Sequence, residues 1–342
     1  MSTTTTLSEA YREHPLHPHH IIPIDFNSVC SLPESHKWPK FDDLYDNKIS
    51  VPVIDLRDPR VAQLIGRACE KWGVFQLIYH GIPLNVLKDA ESEARRLFSL
   101  PSRQKLKALR APAGATGYGI ARITPFFDKY MWHEGFTIMG TSIHDHAKQL
   151  WPHNHAKFCD VMETYQKKMN ILADQLTQLI FKSLDISEEQ AEEMNWVGSS
   201  SALQLNSYPS CPEPNRAVGL APHTDTSLIT ILHENSIAGL QIFKQEVGWV
   251  SVKPVDGALV VNVGDLFHIL SNARFPNVLH RVSVNQKRQR LSLAYFYNPP
   301  TDSTVVPIVK SGQVARYRPV TVKEFISLKA KSPEKALSCI KT

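Results

Sequence analysis

The chain has 342 residues, 42% hydrophobic and 21% charged, which is the balance of a soluble globular protein long enough to bury a sizeable core. Its formal charge of +5, from 38 Lys+Arg against 33 Asp+Glu, is spread along the sequence and argues against a nucleic-acid partner. Five cysteines without a Cys-x-x-Cys pair read as reduced thiols. No apolar run approaches the ~18 residues of a membrane span, so a soluble monomer of the cytoplasm or nucleus, with no membrane partner, is expected.

In chain order, residues 1–50 are rich in Pro, His and Ser/Thr and read as an extended arm. Its "HPLHPHH" tract (14–20) reads as a polar tail, because nothing there fixes a coordination geometry. "SVPVIDL" (50–56) predicts a strand, and Val61, Leu64, Ile65, Ala68 and Trp72 come next at helical spacing. "GVFQLIYHGIP" (73–83) gives a second strand and a turn. A further helix through Leu84, Leu87, Ala94, Leu97 and Phe98 stops before Pro101. The Gly-rich "APAGATGYGIA" (111–121) lacks phosphate-loop spacing and reads as a flexible connection. "IHDH" (143–146) and "HNH" (153–155) read as solvated loop. A long amphipathic helix then carries Phe158, Met162, Tyr165, Met169, Leu172, Leu176 and Ile180.

From about residue 200 the texture changes to short alternating runs, among them "SALQLNSY", "TSLITIL", "GLQIFK", "GALVVNV" and "RLSLAYFYN", separated by Pro, Gly and Asn. That spacing predicts an antiparallel jelly roll. The fold class expected is α+β, with an N-terminal α/β region (51–160) and flanking helices around a jelly-roll core at about 200–300 within a second region, 161–342.

"GLAPHTDTSLITIL" (219–232) reads as one strand, which would put His223, Asp225, Ser227, Ile229 and Ile231 on the same face. His280, on the predicted strand "NVLHRVSVN" (277–285), completes a two-histidine, one-carboxylate set. Such a facial triad suits Fe(II), leaving three coordination positions open, and zinc is the alternative. The strand after His280 tips the balance toward iron. Arg290 and Ser292 lie on it at i and i+2, a receptor for a carboxylate. An interior arginine without a partner would be costly, so a diffusible carboxylate is expected there. Gln204, Asn206 and Tyr208 share a face of "SALQLNSY" and predict a wet cavity, with Tyr208 reaching the same carboxylate and Asn206 the near end of the ligand. His80 and His268 read as turn or packing residues, and His233 as exposed.

The succession Asn206-x-Tyr208-Pro209, His223-x-Asp225, His280, Arg290-x-Ser292 resembles the plant 2-oxoglutarate- and Fe(II)-dependent dioxygenases over roughly residues 50–300, including "WGVFQLIYHGIP". Within them, "LPESHKWP" (32–39), "GYGIARITPFFDKYMWHEGFTIMG" (117–140), "CPEPNRAVGLAPHTDTSLITIL" (211–232) and "VVNVGDLFHILSN" (260–272) are similar to the gibberellin 3-oxidases. The resemblance implies a double-stranded β-helix core preceded by the N-terminal non-heme dioxygenase region. It also implies Fe(II) on His223, Asp225 and His280, and 2-oxoglutarate held through Arg290, Ser292 and Tyr208. O₂ and ascorbate would be the further requirements. The implied reaction is hydroxylation of a gibberellin at the 3β position, with another gibberellin position or a flavonoid-type metabolite as the alternative. For a rigid apolar acid of this kind, Phe296 is the expected wall, Arg122 the expected partner of the substrate carboxylate, and Phe127, Tyr130 and Trp132 the residues expected to close the cavity.

Overall fold

The computed structural model describes residues 11–40, 49–194, 196 and 200–342. Its strands are β1 (Val53–Asp55), β2 (Val74–Ile78), β3 (Gly117–Gly119), β4 (Glu134–Ile138), β5 (Ala202–Tyr208), β6 (Val218–His223) and β7 (Ile229–Glu234), then β8 (Leu240–Lys244), β9 (Gly248–Ser251), β10 (Leu259–Val263), β11 (His280–Ser283) and β12 (Arg290–Tyr297). Eight form one sheet in the order β1-β2-β10-β7-β12-β5-β4-β3, and four form a second in the order β6-β11-β8-β9. Pairing in the larger sheet is antiparallel apart from β1 with β2.

Alternation along the strands gives the larger sheet two chemically different faces. On one, Leu203, Leu205, Ile229, Ile231, Leu291, Leu293, Leu259 and Val261 join the main core. The helices packed there are α1 (Val61–Trp72), α2 (Leu84–Phe98), α3 (Ser142–Leu150) and the long α4 (Ala156–Ser183). Helix α4 contributes Phe158, Met162, Tyr165, Met169, Leu172, Leu176 and Ile180, all buried, and each such apolar side chain contributes about 1.5–3 kcal/mol on leaving water. The other face looks toward the four-stranded sheet. At one end the two sheets pack dry, with Leu232, Val260 and Ala294 against Leu240, Ile242 and Val250; at the other they part around a polar cavity. This is the expected jelly roll on an α/β support.

Four local expectations are corrected. The stretch 219–232 is not one strand: β6 ends at His223 in the small sheet, and β7 begins at Ile229 in the large one. Crossing between sheets resets the alternation, so Ile229 and Ile231 face the helices. Residues 117–119 form an edge strand paired with β4 instead of a loose connection. Residues 142–150 are helical, because Ile143, Ala147 and Leu150 make a buried stripe at i, i+4 and i+7 beneath the polar histidines. His233 is buried, 8% exposed, with its ring 6.2 Å from that of Tyr165.

Helix α5 (Asp265–Leu270) starts after Gly264, whose position admits no side chain: a Cβ there would lie 2.0 Å from the Ser227 carbonyl oxygen. The backbone of 264–266 therefore runs against the 225–228 crossover, with Gly264 N donating to Leu228 O and Asp265 N to Asp225 O, both at 2.8 Å. After a short β13 (Thr304–Val305) and β14 (Val320–Thr321) pair, helix α6 (Val322–Lys331) returns to the cavity mouth. Thr321 caps it by accepting from Glu324 N.

Candidate metal centre

His223 closes β6 and His280 opens β11, and the two strands put these residues directly opposite each other, so their rings lie 4.2 Å apart. Asp225 sits on the crossover, its Oδ1 3.7 Å from Nε2 of both histidines. One ligand atom from each residue lies within 4.8 Å of the other two, a spacing that a single ion can bridge. Each imidazole donates its Nδ1–H to a backbone carbonyl two residues back, His223 to Ala221 at 2.8 Å and His280 to Val278 at 3.1 Å. That fixes the tautomer and leaves both Nε2 lone pairs facing Asp225.

Electrostatics point the same way. Burial, with the neighbouring His280 adding to it, pushes His223 down to about 3, so the ring is neutral and able to donate its lone pair. Burial alone would raise the Asp225 carboxyl, but His280 and then His223 bring it below its ordinary value. Its Oδ2 is buried and has no hydrogen-bond partner. A buried carboxylate oxygen left in this state is costly, and a divalent cation satisfies it. The donor set of two imidazoles and a carboxylate fits Fe(II).

Beyond the triad, β12 and β5 align Arg290 with Tyr208 and Ser292 with Asn206. Asn206 Nδ2 donates to Ser292 Oγ at 3.4 Å and its Oδ1 takes a hydrogen bond from His133 Nε2 at 2.9 Å. The Arg290 guanidinium lies 5.1 Å from the Tyr208 ring centre. Burial raises the Tyr208 phenol, so it stays a proton donor. Arg290 is not alone, contrary to expectation. Its Nη2 donates to Glu234 Oε2 at 2.6 Å and its Nε to Ile237 O at 3.1 Å. The cause is register: β7 places Glu234 opposite Ser292, on the cavity face. Arg290 Nη1 remains buried without a partner, one donor to offer an incoming carboxylate.

These groups line a cavity of about 1330 Å³ between the sheets. Phe296 lies on its wall, and Arg122 and Phe127 line it from the 117–140 segment. Tyr130 and Trp132, expected to close it, do not line it. Tyr130 stacks on His36 at 5.5 Å, and Trp132 packs with Leu32, Cys211 and Tyr208 while donating to Pro209 O. The N-terminal arm takes up both rings on the outside of the site.

Several residues were not anticipated. Thr230 and Asn262, paired across β7 and β10, face the cavity. Arg110 and His133 line it from before β3 and β4. Lys329 of α6 donates to Thr224 O, to Thr224 Oγ1 and, at 2.6 Å, to the fully buried Asp265. The sequence carried a signal for Thr230 and Glu234, by alternation within β7 once its start is known, and for Asn262 as the polar member of the "GALVVNV" strand.

Comparison with known proteins agrees with this geometry. Residues 199–299 match the 2OG-Fe(II) oxygenase superfamily model, and residues 51–155 match the model described as non-haem dioxygenase in morphine synthesis N-terminal. Gibberellin 3-beta-dioxygenase 1 of Pisum sativum is 49% identical, the match covering 98% of this chain and 94% of that protein. Gibberellin 3-beta-dioxygenase 1 of Arabidopsis thaliana is 47% identical, covering 98% of each. The crystal structure of JOX2 in complex with 2OG, Fe and JA superposes with a TM-score of 0.80 at 28% identity, over 92% of this chain and 95% of that one. Family match, full-length relatives and the clustered His-Asp-His donors agree: this chain belongs to the 2OG-Fe(II) oxygenase superfamily and is a 2-oxoglutarate-dependent dioxygenase requiring Fe(II), 2-oxoglutarate and O₂.

Proposed function

We propose that this enzyme hydroxylates a gibberellin at the 3β position. The observation that carries the reading is the full-length similarity to gibberellin 3-beta-dioxygenases, at 38–49% identity. It is joined to a cavity whose walls include Ile123, Phe127, Leu220 and Phe296. Such a lining accepts a rigid apolar multi-ring acid.

In this reading His223, Asp225 and His280 hold Fe(II), which when bound supplies the centre where 2-oxoglutarate is decarboxylated to succinate and one oxygen atom of O₂ is directed to a C–H bond. Arg290 Nη1, the Ser292 hydroxyl and the Tyr208 phenol receive the distal carboxylate of 2-oxoglutarate. Asn206, held by His133, orients its near end. The apolar walls keep water away and fix which C–H bond faces the iron, since a misplacement of about 1 Å costs orders of magnitude in rate. No helix among the described residues is long and apolar enough to cross a membrane.

Incubation with Fe(II), 2-oxoglutarate, ascorbate and a panel of 3-deoxy gibberellins, read by mass spectrometry, tests the assignment. A 3β-hydroxy product with stoichiometric succinate is expected. Oxidation only at another carbon, or no turnover of any member of the panel, refutes it.

A further inference from the structure

The Arg290 clamp is not the only place in the cavity where positive charge is buried. Arg110 is 4% exposed and lines the cavity. Its Nη2 donates to Ile120 O at 2.7 Å, while its Nε is buried with no partner. Burial first, then the like charge of Arg122, push its guanidinium down to about 9. Arg122 lines the same cavity. It donates through Nη1 to Gly114 O at 2.6 Å and through Nη2 to His14 O at 3.3 Å, and it stacks on the Tyr11 ring at 3.9 Å. Carbonyl oxygens and a ring face satisfy directions, but they do not neutralise charge.

Among the described residues no carboxylate hydrogen-bonds to either guanidinium, and none figures among the charges that perturb them. Of the acids lining the cavity, Asp225 is committed to the metal centre, and Glu13 and Glu334 are exposed at the mouth. His133, whose ring feels Arg110, is pushed down to about 4, chiefly by burial, so it adds no charge of its own. Two neighbouring guanidiniums, one of them almost fully buried with an orphaned donor, repel each other and lack an anion. Such a pair is costly to maintain unless a ligand supplies the counter-charge. The planar guanidinium fork matches a carboxylate.

We propose that Arg110, acting with Arg122, forms a second anion subsite, distinct from the Arg290 clamp, that takes the carboxylate of the substrate. This rests on the assignment of a polycyclic carboxylic acid as substrate. Arg110 then sets specificity: it requires the acid, and in pairing with it orients the apolar body against Phe127 and Phe296.

The test compares a 3-deoxy gibberellin with its methyl ester, an almost isosteric neutral molecule, binding to the enzyme loaded with Fe(II) and 2-oxoglutarate under anaerobic conditions so that no turnover occurs. Wild type is expected to bind the acid about 10- to 100-fold more tightly than the ester, the range for a hydrogen bond to a charged group. Arg110→Met and Arg122→Met are expected to lose most of that preference through weaker acid binding, with ester affinity unchanged. Arg110→Lys, which keeps the charge and guards against a folding defect, retains part of it. Equal binding of acid and ester by wild type overturns the proposal, as does full preference for the acid in both Met variants. If wild type binds neither form, the gibberellin assignment itself falls, an outcome distinct from binding both alike.

Discussion

Glu234→Gln is expected to weaken the ligand-free protein and to tighten its hold on 2-oxoglutarate. The carboxylate lies 2.6 Å from Arg290 Nη2, with side-chain exposures of 6% and 1%, so this is a buried ion pair. Removing one charge of such a pair costs about 3–5 kcal/mol, lessened here because glutamine keeps an acceptor beside Nη2. With 2-oxoglutarate on the other side of the guanidinium the sign reverses. Two carboxylates about 6 Å apart repel by about 2.8 kcal/mol at an effective dielectric of about 20. Relief of part of that repulsion corresponds to roughly tenfold tighter binding, since about 1.4 kcal/mol is a factor of ten. The assay is thermal melting of the Fe(II)-free protein against increasing N-oxalylglycine, a non-reactive analogue of 2-oxoglutarate. The variant should start with a lower Tm and gain more from the ligand than wild type. An unchanged ligand-free Tm, or a higher dissociation constant for the analogue, would refute the reasoning that Glu234 competes for Arg290.

Lys329→Met strips the cation from Asp265, which is 0% exposed, and should cost about 3 kcal/mol. It should also speed Fe(II) loss in a chelator chase, and an unchanged release rate would disconnect α6 from the metal loop. His223→Ala should abolish succinate formation while leaving the melting temperature of the metal-free protein within a few degrees of wild type; residual Fe(II)-dependent succinate would remove that histidine from the centre. Glu134→Gln breaks the buried contact with Lys105, 2.6 Å long with both side chains under 5% exposed, and should lower stability by about 3–5 kcal/mol, read in urea; a loss below about 1 kcal/mol would argue against an ion pair there. Burial pushes His233 down to about 4, with Glu91 opposing and His80 adding a little. The unfolded chain takes up this proton first, so its contribution, on the order of 3 kcal/mol, is present above about pH 6.5 and lost as pH falls toward 4. His233→Leu should therefore flatten the melting profile between pH 7 and pH 5, and an unaltered slope would count against this histidine.

Much of the site was legible because strand alternation is rigid. Once "SALQLNSY" and "RLSLAYFYN" are strands, Asn206, Tyr208, Arg290 and Ser292 must share one side of a sheet, and the structure pairs them in register. The triad needed only chemistry, since two imidazoles and a carboxylate on β-scaffolding have few other uses. What escaped was set by long-range pairing. No Gly or Pro marks the passage from β6 to β7 between Thr224 and Leu228, so a change of sheet looked like a continuous strand. With it went Glu234, whose facing depends on where β7 begins. The stripe of Ile143, Ala147 and Leu150 was masked by the histidines beside it. Arg110 and Lys329 reach the cavity from segments that local pattern does not tie to it.

The tether from Lys329 to Thr224 and Asp265 carries a consequence for biosynthesis. Synthesis runs from the N-terminus, and Lys329 emerges after all three proposed ligands and after every strand of both sheets. A nascent chain can therefore gather His223, Asp225 and His280 while the loop between them still lacks its final restraint. Firm retention of iron then waits on α6, which is made after the ligands whose loop it steadies.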